Sequence, residues 1–593
     1  MKYSDLLAQW LKDMGYTHCF YVAGGNIMHM LASSNNHFHM VSVIHEVAAG
    51  IAVEYFNETN PKAKAFALVT AGPGLTNMVT AFAGAFLESR ELLVIGGQVK
   101  TADLSRGMLR QRGIQEIDGV SIVKPVCCVA ELLDQPVNLV QFRQLTQANV
   151  GGRKGPVFLE MPLDVQGKTI DRASLEQPVA KLSHVPTIPT ASPEVITQLA
   201  QMIRQSKRPV LLLGGGVSRA TCEELHDLFS EMYLPVMTTW NGADRLEADH
   251  PNYFGRPNTW GQRYANILMQ QSDLLIAVGT RLGMQQTGFN WQQFIPMGKV
   301  VQVDCDQAEL DKGHPKVSWP ILADANCFLR DLSSQQLSEH NAWLSYCRQV
   351  KEAVPLIEGN VTGGSYLSPY HFVEKLSQQC VDNDVIIPCS SGGAFTVMMQ
   401  VFAHKRGQKM VTNKGLASMG YGLSGAIGAA MANPNGRTVL VEGDGGFAQN
   451  LQEIGTVAVN KLNLKIFIFD DNGYASIRMT QKNYFPGAYI GCDINSGLGL
   501  PDWEQLFKAY RVPTLRINKG FEVQTEFKEL FNSKGPAAFV VTIDPEQSYF
   551  PKIMSRVTES GTMESNPLHY MSPDLPEEAK QLTKLPHYLV DIN

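Results

Sequence analysis

Two short turns rich in acidic residues and glycine hold the side chains best suited to chemistry in this chain. They are Gly443-Asp444-Gly445-Gly446 and Asp470-Asp471-Asn472-Gly473. Asp444 and Asp471 offer hard oxygen ligands to a Mg²⁺ ion that also takes diphosphate oxygens. Glycines let backbone N–H groups approach phosphate closely. The paired turns therefore predict a site for Mg²⁺ and a diphosphate, although a lone glycine turn of this kind is equally consistent with a plain tight turn.

Two buried strands and a helix must position these turns. Apolar residues within 436–442 precede the first turn, and residues 465–469 precede the second. Between them, residues 447–459 have the apolar spacing of a helix. In a parallel sheet both turns lie at the carboxyl edge, where ligands bind. We therefore expect a strand, a glycine turn, a helix, a strand and a polar turn.

The same alternation of apolar strands and helical periodicity extends along nearly the whole chain. It predicts an α/β fold of three doubly wound parallel-sheet domains. Two stretches rich in Pro, Ser, Thr or Gly, residues 174–193 and 354–369, are predicted linkers. The predicted organisation is an N-terminal domain over 1–175, a central nucleotide-type domain over 190–350, a C-terminal domain over 365–550 and a tail over 551–593.

Composition narrows the class of protein. The 593 residues are 44% hydrophobic and 18% charged, and the net charge of −6 gives no reason to expect nucleic acid or an anionic membrane as partner. No apolar run approaches the roughly 20 residues that span a bilayer. The segment 1–5 predicts an amphipathic helix rather than a signal peptide, and the ten cysteines lack metal-binding spacing. We therefore expect a cytoplasmic, multidomain enzyme.

Three further motifs could take part in chemistry, and for two of them a purely structural role is the alternative. Glu46, in His45-Glu46-Val47-Ala48-Ala49, would share a proton with a bound ring if it lay in an apolar pocket. The plain interpretation is an acid that favours a helix N-terminus. The loop 71–77 ends at Asn77, and Met419 lies among glycines in the segment 413–423. A core methionine is the alternative for Met419.

With these motifs in this order, the chain resembles the thiamin diphosphate-dependent enzymes, in particular the acetolactate synthase branch. Three more segments resemble that branch, namely Gly97-Gln98-Val99, Ile114-Gln115-Glu116-Ile117-Asp118 and residues 155–165. The chain departs from the family pattern at three positions. It has Asp471 where Asn is commoner, Ala71 where Ser is usual, and Ile114 where Phe is usual.

The resemblance implies roles for the turn residues. Asp444, Asp471 and the carbonyl of Gly473 would bind Mg²⁺, with Asn472 as the fallback ligand. Further cofactor-binding residues are implied by the same motifs, namely Gly25, Gly72, Asn77, Ala417, Met419, Gly443, Asp444, Gly445 and Gly446.

The resemblance also implies catalytic residues. Glu46 would hydrogen-bond the pyrimidine ring of the cofactor, and Met419 would wedge the cofactor into its bent shape. Gln98 and Gln115 would line the cofactor and orient the carbonyl oxygen of the intermediate, and the alternative for both is ordinary loop polarity.

The activity implied by the resemblance is decarboxylation of a 2-oxoacid, with pyruvate as first choice, and carboligation of the two-carbon unit to a second carbonyl. Sites of this branch lie between two chains, so a homodimer or homotetramer is implied. A regulatory subunit is left open. Residues 476–485 are predicted to cover the site.

FAD is a further cofactor that the resemblance suggests. Arg153, Arg281 in Gly279-Thr280-Arg281, and Asp304 at a strand end match positions that contact flavin in the branch. The branch's flavin-contacting stretch is replaced here by residues 255–261. FAD and an empty or ADP-binding central domain therefore remain alternatives.

Three rival interpretations concern the acceptor and the activity itself. The acetolactate synthase branch has an acceptor-selecting Trp beyond the second turn, but here no Trp lies between Trp343 and Trp503. The first rival is therefore a carboligase that uses a larger acceptor, such as a nucleotide-sugar ketone. The second is a simple 2-oxoacid decarboxylase. The third is an inactive paralogue that serves as a binding or regulatory subunit.

Overall fold

The structure is a computed structural model that describes residues 1–147, 152–177, 188–485, 487–557, 559–561 and 563–583. Its framework is three parallel β-sheets. Contacts divide the chain into two compact units. The first comprises Met1–Thr187, Asn383–Phe395 and Lys409–Thr542, and the second comprises Ile188–Asp382, Thr396–Gln408 and Ile543–Asn593. The first unit holds the N-terminal and C-terminal sheets, and the second unit holds the middle sheet.

The N-terminal sheet has six parallel strands in the order β2-β1-β3-β4-β6-β5. They are β1 (Tyr16–Tyr21), β2 (His39–Ser42), β3 (Lys64–Val69), β4 (Leu92–Gln98), β5 (Val129–Leu132) and β6 (Pro156–Pro162). Strands β4 and β6 are buried along their whole length, as expected of a parallel sheet covered on both faces.

Helices alternate with these strands. The predicted N-terminal amphipathic helix is present and buries Leu7, Trp10 and Leu11. The helices are Tyr3–Asp13, Met28–Ser34, Glu46–Thr59, Pro73–Thr76, Val79–Leu87, Gly119–Val123, Leu139–Gln147, Leu163–Gly167 and Arg172–Leu175, with 3₁₀ turns at Gly25–Ile27, Thr101–Asp103 and Lys124–Val126.

The middle sheet has five parallel strands in the order β11-β10-β9-β7-β8. They are β7 (Pro209–Leu213), β8 (Val236–Thr238), β9 (Leu274–Val278), β10 (Lys299–Asp304) and β11 (Trp319–Leu322). The helices are Pro193–Gln205, Arg219–Glu224, His226–Glu231, Arg263–Gln270, Met284–Thr287, Gln307–Asp311, Ala325–Ser333 and Asn341–Ala353, with 3₁₀ turns at Trp240–Gly242 and Trp291–Gln293.

The C-terminal sheet has six parallel strands in the order β13-β12-β14-β15-β17-β16. They are β12 (Val385–Ile387), β13 (Lys409–Met410), β14 (Thr438–Gly443), β15 (Leu464–Asp470), β16 (Thr514–Ile517) and β17 (Ala537–Thr542). Helices between residues 369 and 532 are Pro369–Gln379, Gly392–Val401, Tyr421–Ala432, Asp444–Phe447, Ile454–Val459, Ala475–Tyr484, Trp503–Ala509 and Thr525–Asn532, with 3₁₀ segments at Ala448–Glu453, Ile494–Ser496 and Phe521–Val523.

The described part of the chain ends in two antiparallel ribbons and a short helix. Strand β18 (Lys552–Ile553) pairs with β21 (Met571–Ser572), and β19 (Ser555–Val557) pairs with β20 (Met563–Ser565). The helix Glu577–Leu582 follows. Of the predicted linkers and tail, residues 178–187 and 584–593 lie outside the described residues. Residues 354–368 connect two helices without a helix or strand of their own.

The predicted α/β class with three parallel sheets is confirmed, whereas the domain boundaries stay predictions. The predicted helix over residues 447–459 is confirmed in its second half, Ile454–Val459. In its first half a 3₁₀ segment, Ala448–Glu453, has non-helical backbone at Asn450. The Asn450 side chain donates to the carbonyl of Gly420 at 2.7 Å. Within the described part of the chain, no helix has both the length and the apolar character needed to cross a membrane.

Candidate active site

The two turns predicted to bind metal, residues 443–446 and 470–473, lie side by side. We call them the metal turns. Strands β14 and β15 are parallel neighbours, and their register pairs Gly443 with Phe469. Both turns therefore leave the sheet at the same carboxyl edge, as the sequence predicted.

The Asp444 carboxylate joins the metal turns. It accepts a hydrogen bond from the N–H of Gly445 at 2.6 Å and another from the N–H of Gly473 at 3.0 Å. Asp444 is only 1% exposed. Burial raises the pKa of Asp444 above its usual range, even though these two N–H groups favour the ionised form.

Asp471 is buried beside Asp444. Its Oδ1 has no hydrogen-bond partner among the described residues. Burial, and next the nearby Asp444 carboxylate, raise the pKa of Asp471 well above its usual range. Two buried carboxylates, one with an unsatisfied oxygen, are costly unless they are neutralised, and a divalent cation would neutralise them. The donor set therefore fits Mg²⁺.

The remaining residues of the metal turns shape the backbone. A Cβ on Gly445 would lie 2.3 Å from the Tyr474 ring, so only glycine fits there. Gly473 has φ of +132°, and Asn472 has φ of +62° with an exposed side chain. A Cβ on Gly443 would meet open space, and one on Gly446 would lie 3.1 Å from Glu442.

The segment that includes Met419 packs onto the metal turns. Gly420, at φ of +82°, donates its N–H to the carbonyl of Gly446 at 3.0 Å. Ala417 also has a positive φ, of +55°. Met419 is 37% exposed, so it is not a core methionine.

Glu46 begins the helix Glu46–Thr59, and His45 is the N-cap. Asn77 donates its side-chain amide to Glu46 Oε2 at 2.9 Å. Glu46 is only 9% exposed. The structure thus joins two residues that belong to separate sequence motifs, and it leaves the second carboxylate oxygen of Glu46 to other partners.

Comparisons with known proteins cover most of the chain. Models of the thiamine pyrophosphate enzyme family match three segments. Residues 1–122 match the N-terminal TPP binding domain, 196–332 the central domain and 391–541 the C-terminal TPP binding domain. Thiamine pyrophosphate is another name for thiamin diphosphate. The chain belongs to the thiamine pyrophosphate enzyme family.

Curated relatives of this thiamine pyrophosphate enzyme extend the likeness. The chain is 29% identical to acetolactate synthase isozyme 1 large subunit of Escherichia coli (strain K12) over 558 residues, which cover 93% of this chain and 95% of that protein. Isozyme 2 large subunit of the same organism is 29% identical over 568 residues, 94% and 99% of the two chains. Acetolactate synthase 1, chloroplastic, of Zea mays is 27% identical over 573 residues, 93% and 87%. The chain is thus an acetolactate synthase-like, thiamin diphosphate-dependent enzyme.

In this thiamine pyrophosphate enzyme the two predicted glutamines differ in exposure. Gln115 is exposed, has φ of +63°, and lies over Gly72, where a Cβ would come within 2.4 Å of the Gln115 carbonyl. Gln98 is buried, donates to the carbonyl of Ile117 at 2.9 Å, and accepts from the N–H of Val99 at 2.8 Å. Gln98 therefore supports the loop from within.

Glu116 has a role that the sequence did not reveal. Its carboxylate accepts from the N–H groups of Ser105, Arg112 and Gly113. Burial alone would raise the pKa of Glu116, but these N–H groups lower it to about 2. The carboxylate therefore fastens the loop that includes Gln115. Three acceptor bonds to loop backbone leave no periodic signal in a sequence, so the motif alone could not indicate them.

Near the N-terminus, Gly25 begins a 3₁₀ turn, and a Cβ at Gly25 would meet open space. A Cβ at the adjacent Gly24 would instead lie 2.3 Å from the Thr70 side chain. Arg153 donates from Nε to the Ser89 hydroxyl at 2.8 Å. The side chain of Arg153, a predicted flavin contact, is therefore bonded within the N-terminal segment of the chain.

The glycine loop that follows strand β7, residues 214–216, does not fit an FAD diphosphate. The N–H groups of Gly214 and Gly216 already donate to the carbonyls of Val278 and Gly279, each at 2.9 Å. A Cβ on Gly214 would lie 2.2 Å from the Gly279 carbonyl. The glycine loop is thus packed on the loop after β9, and the N–H groups of Gly214 and Gly216 are used.

An arginine also binds the backbone of the same loop. Arg245 donates from Nε to the carbonyl of Val217 at 2.5 Å and from Nη2 to that of Gly215 at 3.3 Å. It also pairs with Asp244, which accepts from Arg219 at 2.6 Å. Arg281 and Asp304 lie at the ends of β9 and β10, where Lys312 bonds the Arg281 carbonyl and Asp304 accepts from the N–H of Asp306 at 3.0 Å.

Proposed function

We propose that this enzyme binds Mg²⁺ and thiamin diphosphate at the metal turns, decarboxylates a 2-oxoacid, and ligates the two-carbon unit to a second carbonyl. Pyruvate is the proposed first substrate. The observation that carries the proposal is the buried Asp444–Asp471 pair with its unsatisfied oxygen, within the segment matched by the C-terminal TPP binding domain.

Asp444, Asp471 and the carbonyl of Gly473 would hold Mg²⁺. Thiamin diphosphate held there would supply a nucleophilic thiazolium carbon, and a cationic ring able to stabilise the charge left when CO₂ departs. The exposed Asn472 side chain supports Asp471 as the ligand in preference to Asn472.

Glu46 is the proposed proton-transfer residue. Its buried carboxylate would hold a proton shared with a ring nitrogen of the cofactor, and the Asn77 amide fixes one carboxylate oxygen for that purpose. The half-exposed Met419, on a turn bonded to Gly446, would support the cofactor beside the metal.

Water must be kept from the site, because a proton delivered to the two-carbon unit would end the reaction as simple decarboxylation. The helix Ala475–Tyr484 directly follows the second metal turn and is the proposed cover. Its neighbour Ile490 is 74% exposed, and Phe485 and Ile494 are exposed as well. Apolar side chains exposed beside a site support a second copy of this chain as their partner, so we propose at least a homodimer.

A carboligase with a larger acceptor is the second candidate. Trp503 is buried and packs edge-on against Phe447, with ring centroids 5.6 Å apart, so it is not available to select a small acceptor. Ile114 is 85% exposed, at the position where Phe is usual in the acetolactate synthase branch. Both features favour an acceptor pocket with room for a larger substrate.

Product analysis separates these possibilities. The protein is incubated with pyruvate, Mg²⁺ and thiamin diphosphate, with and without an added nucleotide-sugar ketone. Acetolactate without the sugar indicates a synthase. A carboligation product that forms only with the sugar indicates the larger acceptor. Acetaldehyde in both mixtures indicates a decarboxylase, and no consumption of pyruvate in either contradicts the proposed donor.

A further inference from the structure

Glu453 lies inside the first unit, at the end of the 3₁₀ segment Ala448–Glu453 that follows the first metal turn. Its carboxylate is fully buried and bonds to backbone 408 and 409 residues earlier in the chain. Oε1 accepts from the N–H of Ile44 at 3.1 Å and from the N–H of His45 at 3.0 Å. Oε2 accepts from the Thr456 hydroxyl at 2.7 Å.

These bonds matter because Ile44 and His45 lead directly into Glu46. Only residues 43–45 separate strand β2 from the helix that Glu46 begins. The N–H of Val43 donates to the carbonyl of Tyr21 at 3.0 Å, and Glu453 receives the other two N–H groups of the connection. The whole backbone of the connection is thereby fixed, and with it the point from which the Glu46 side chain starts.

From these contacts we propose that Glu453 is a positioning residue for Glu46, an inference that rests on the proposed role of Glu46. Glu453 fixes the backbone in front of Glu46, and Asn77 fixes one oxygen of its carboxylate. A shift of about 1 Å in a reacting group is enough to cost about 100-fold in rate. Loss of Glu453 would leave two N–H groups of a three-residue connection without their acceptor, and such a shift would follow.

The test compares Glu453→Ala and Glu453→Gln with the wild type. The Gln variant keeps one carbonyl acceptor and is the conservative partner. Exchange of the C2 proton of bound thiamin diphosphate for deuterium, followed by NMR after rapid quenching, reports proton transfer by Glu46 directly. We expect exchange and turnover to fall together by about 10- to 100-fold in Glu453→Ala, as for residues that orient a reactive group, and by less in Glu453→Gln.

Two readouts separate positioning from general damage. The Kd of thiamin diphosphate in the presence of Mg²⁺ should change little, because the metal turns are intact. The double variant Glu46→Gln/Glu453→Ala should be no slower than Glu46→Gln alone, since Glu453 acts through Glu46. Additive losses in the double variant, or wild-type exchange in a folded Glu453→Ala, would overturn the inference.

The outcomes also distinguish this inference from the proposed function. Wild-type exchange in Glu46→Gln would contradict the proposed role of Glu46 itself. Slow exchange in Glu46→Gln with normal exchange in both Glu453 variants would contradict only the positioning role. If Glu453→Ala does not fold, Glu453→Gln decides. A smaller but parallel loss of exchange and turnover supports the inference, and wild-type values in both measurements overturn it.

Discussion

The metal turns and the glycine loop at residues 214–216 of the middle sheet begin from the same sequence pattern, a buried strand that runs into glycines. The two regions differ in whether their polar groups have hydrogen-bond partners. At the metal turns Asp444 and Asp471 are buried together, and Asp471 Oδ1 has no partner among the described residues. At the glycine loop, Gly214 and Gly216 have used their N–H groups, and Arg245 holds the carbonyls of Gly215 and Val217.

The difference shows that the glycines alone do not define a ligand site. What decides is whether the polar groups around the turn satisfy one another. Unsatisfied buried carboxylates call for a cation, whereas a loop in which two N–H groups and two carbonyls already have partners offers less to a diphosphate. Mg²⁺ therefore enters the proposed function, and the glycine loop gives no support for FAD.

A cluster of His226, Glu247 and His250 resembles the glycine loop more than the metal turns, because its polar atoms already have hydrogen-bond partners. The ring nitrogens of His226 meet Glu247 at 2.6 Å and Asp227 at 3.1 Å. Those of His250 meet the Ser230 hydroxyl at 3.1 Å and the N–H of Asn252 at 3.2 Å. Every ring nitrogen of these two histidines already has a partner, so proximity of ligand-type residues does not by itself indicate a metal site.

The largest expected effect on cofactor binding comes from removing one carboxylate of the unsatisfied pair with Asp471→Ala. Asn is the commoner residue at this position in the family and could still offer an oxygen ligand, so alanine is the variant that removes the ligand. Mg²⁺-dependent binding of thiamin diphosphate should weaken by about 100-fold or more, since even the loss of an outer-shell partner of a metal ligand costs about 10- to 100-fold. Titration calorimetry with Mg²⁺ present measures the change. Asp470→Ala makes the same substitution one residue earlier, where the carboxylate pairs with Arg516 at 3.2 Å.

Binding in the Asp470→Ala variant should stay close to that of the wild type. Equal weakening in both variants would mean that general loss of negative charge, rather than metal ligation by Asp471, explains the effect. Normal binding in Asp471→Ala would remove Asp471 from the metal site and leave Asn472 as the ligand.

Addition of FAD is expected to change turnover less than Asp471→Ala does, because the glycine loop is already bonded to Arg245 and to the carbonyls of Val278 and Gly279. Turnover should be the same with and without FAD. Purified protein should release far less than one flavin per chain on denaturation. Fluorescence of the released flavin provides the measurement. A yellow protein with one flavin per chain would show that the two regions are more alike than their contacts indicate.

Much of the framework could be predicted because burial leaves periodic patterns. The strands Thr438–Gly443 and Leu464–Asp470 were recognisable as apolar runs that lead into the metal turns. Contacts between a side chain and distant backbone leave no such pattern. The bonds from Arg245 to the glycine loop, from Asn450 to Gly420, and from Glu453 to residues 44 and 45 were therefore not predictable.

The central claim is that Glu46 transfers the proton on which the proposed thiamin diphosphate chemistry depends. The most direct measurement is CO₂ release from pyruvate by wild type and Glu46→Gln, with cofactor binding measured in parallel. Glu58→Gln, near the far end of the same helix, is the control. We expect Glu46→Gln to bind the cofactor but release CO₂ about 10²- to 10⁴-fold more slowly, with Glu58→Gln near wild type. Wild-type CO₂ release by Glu46→Gln would contradict the account.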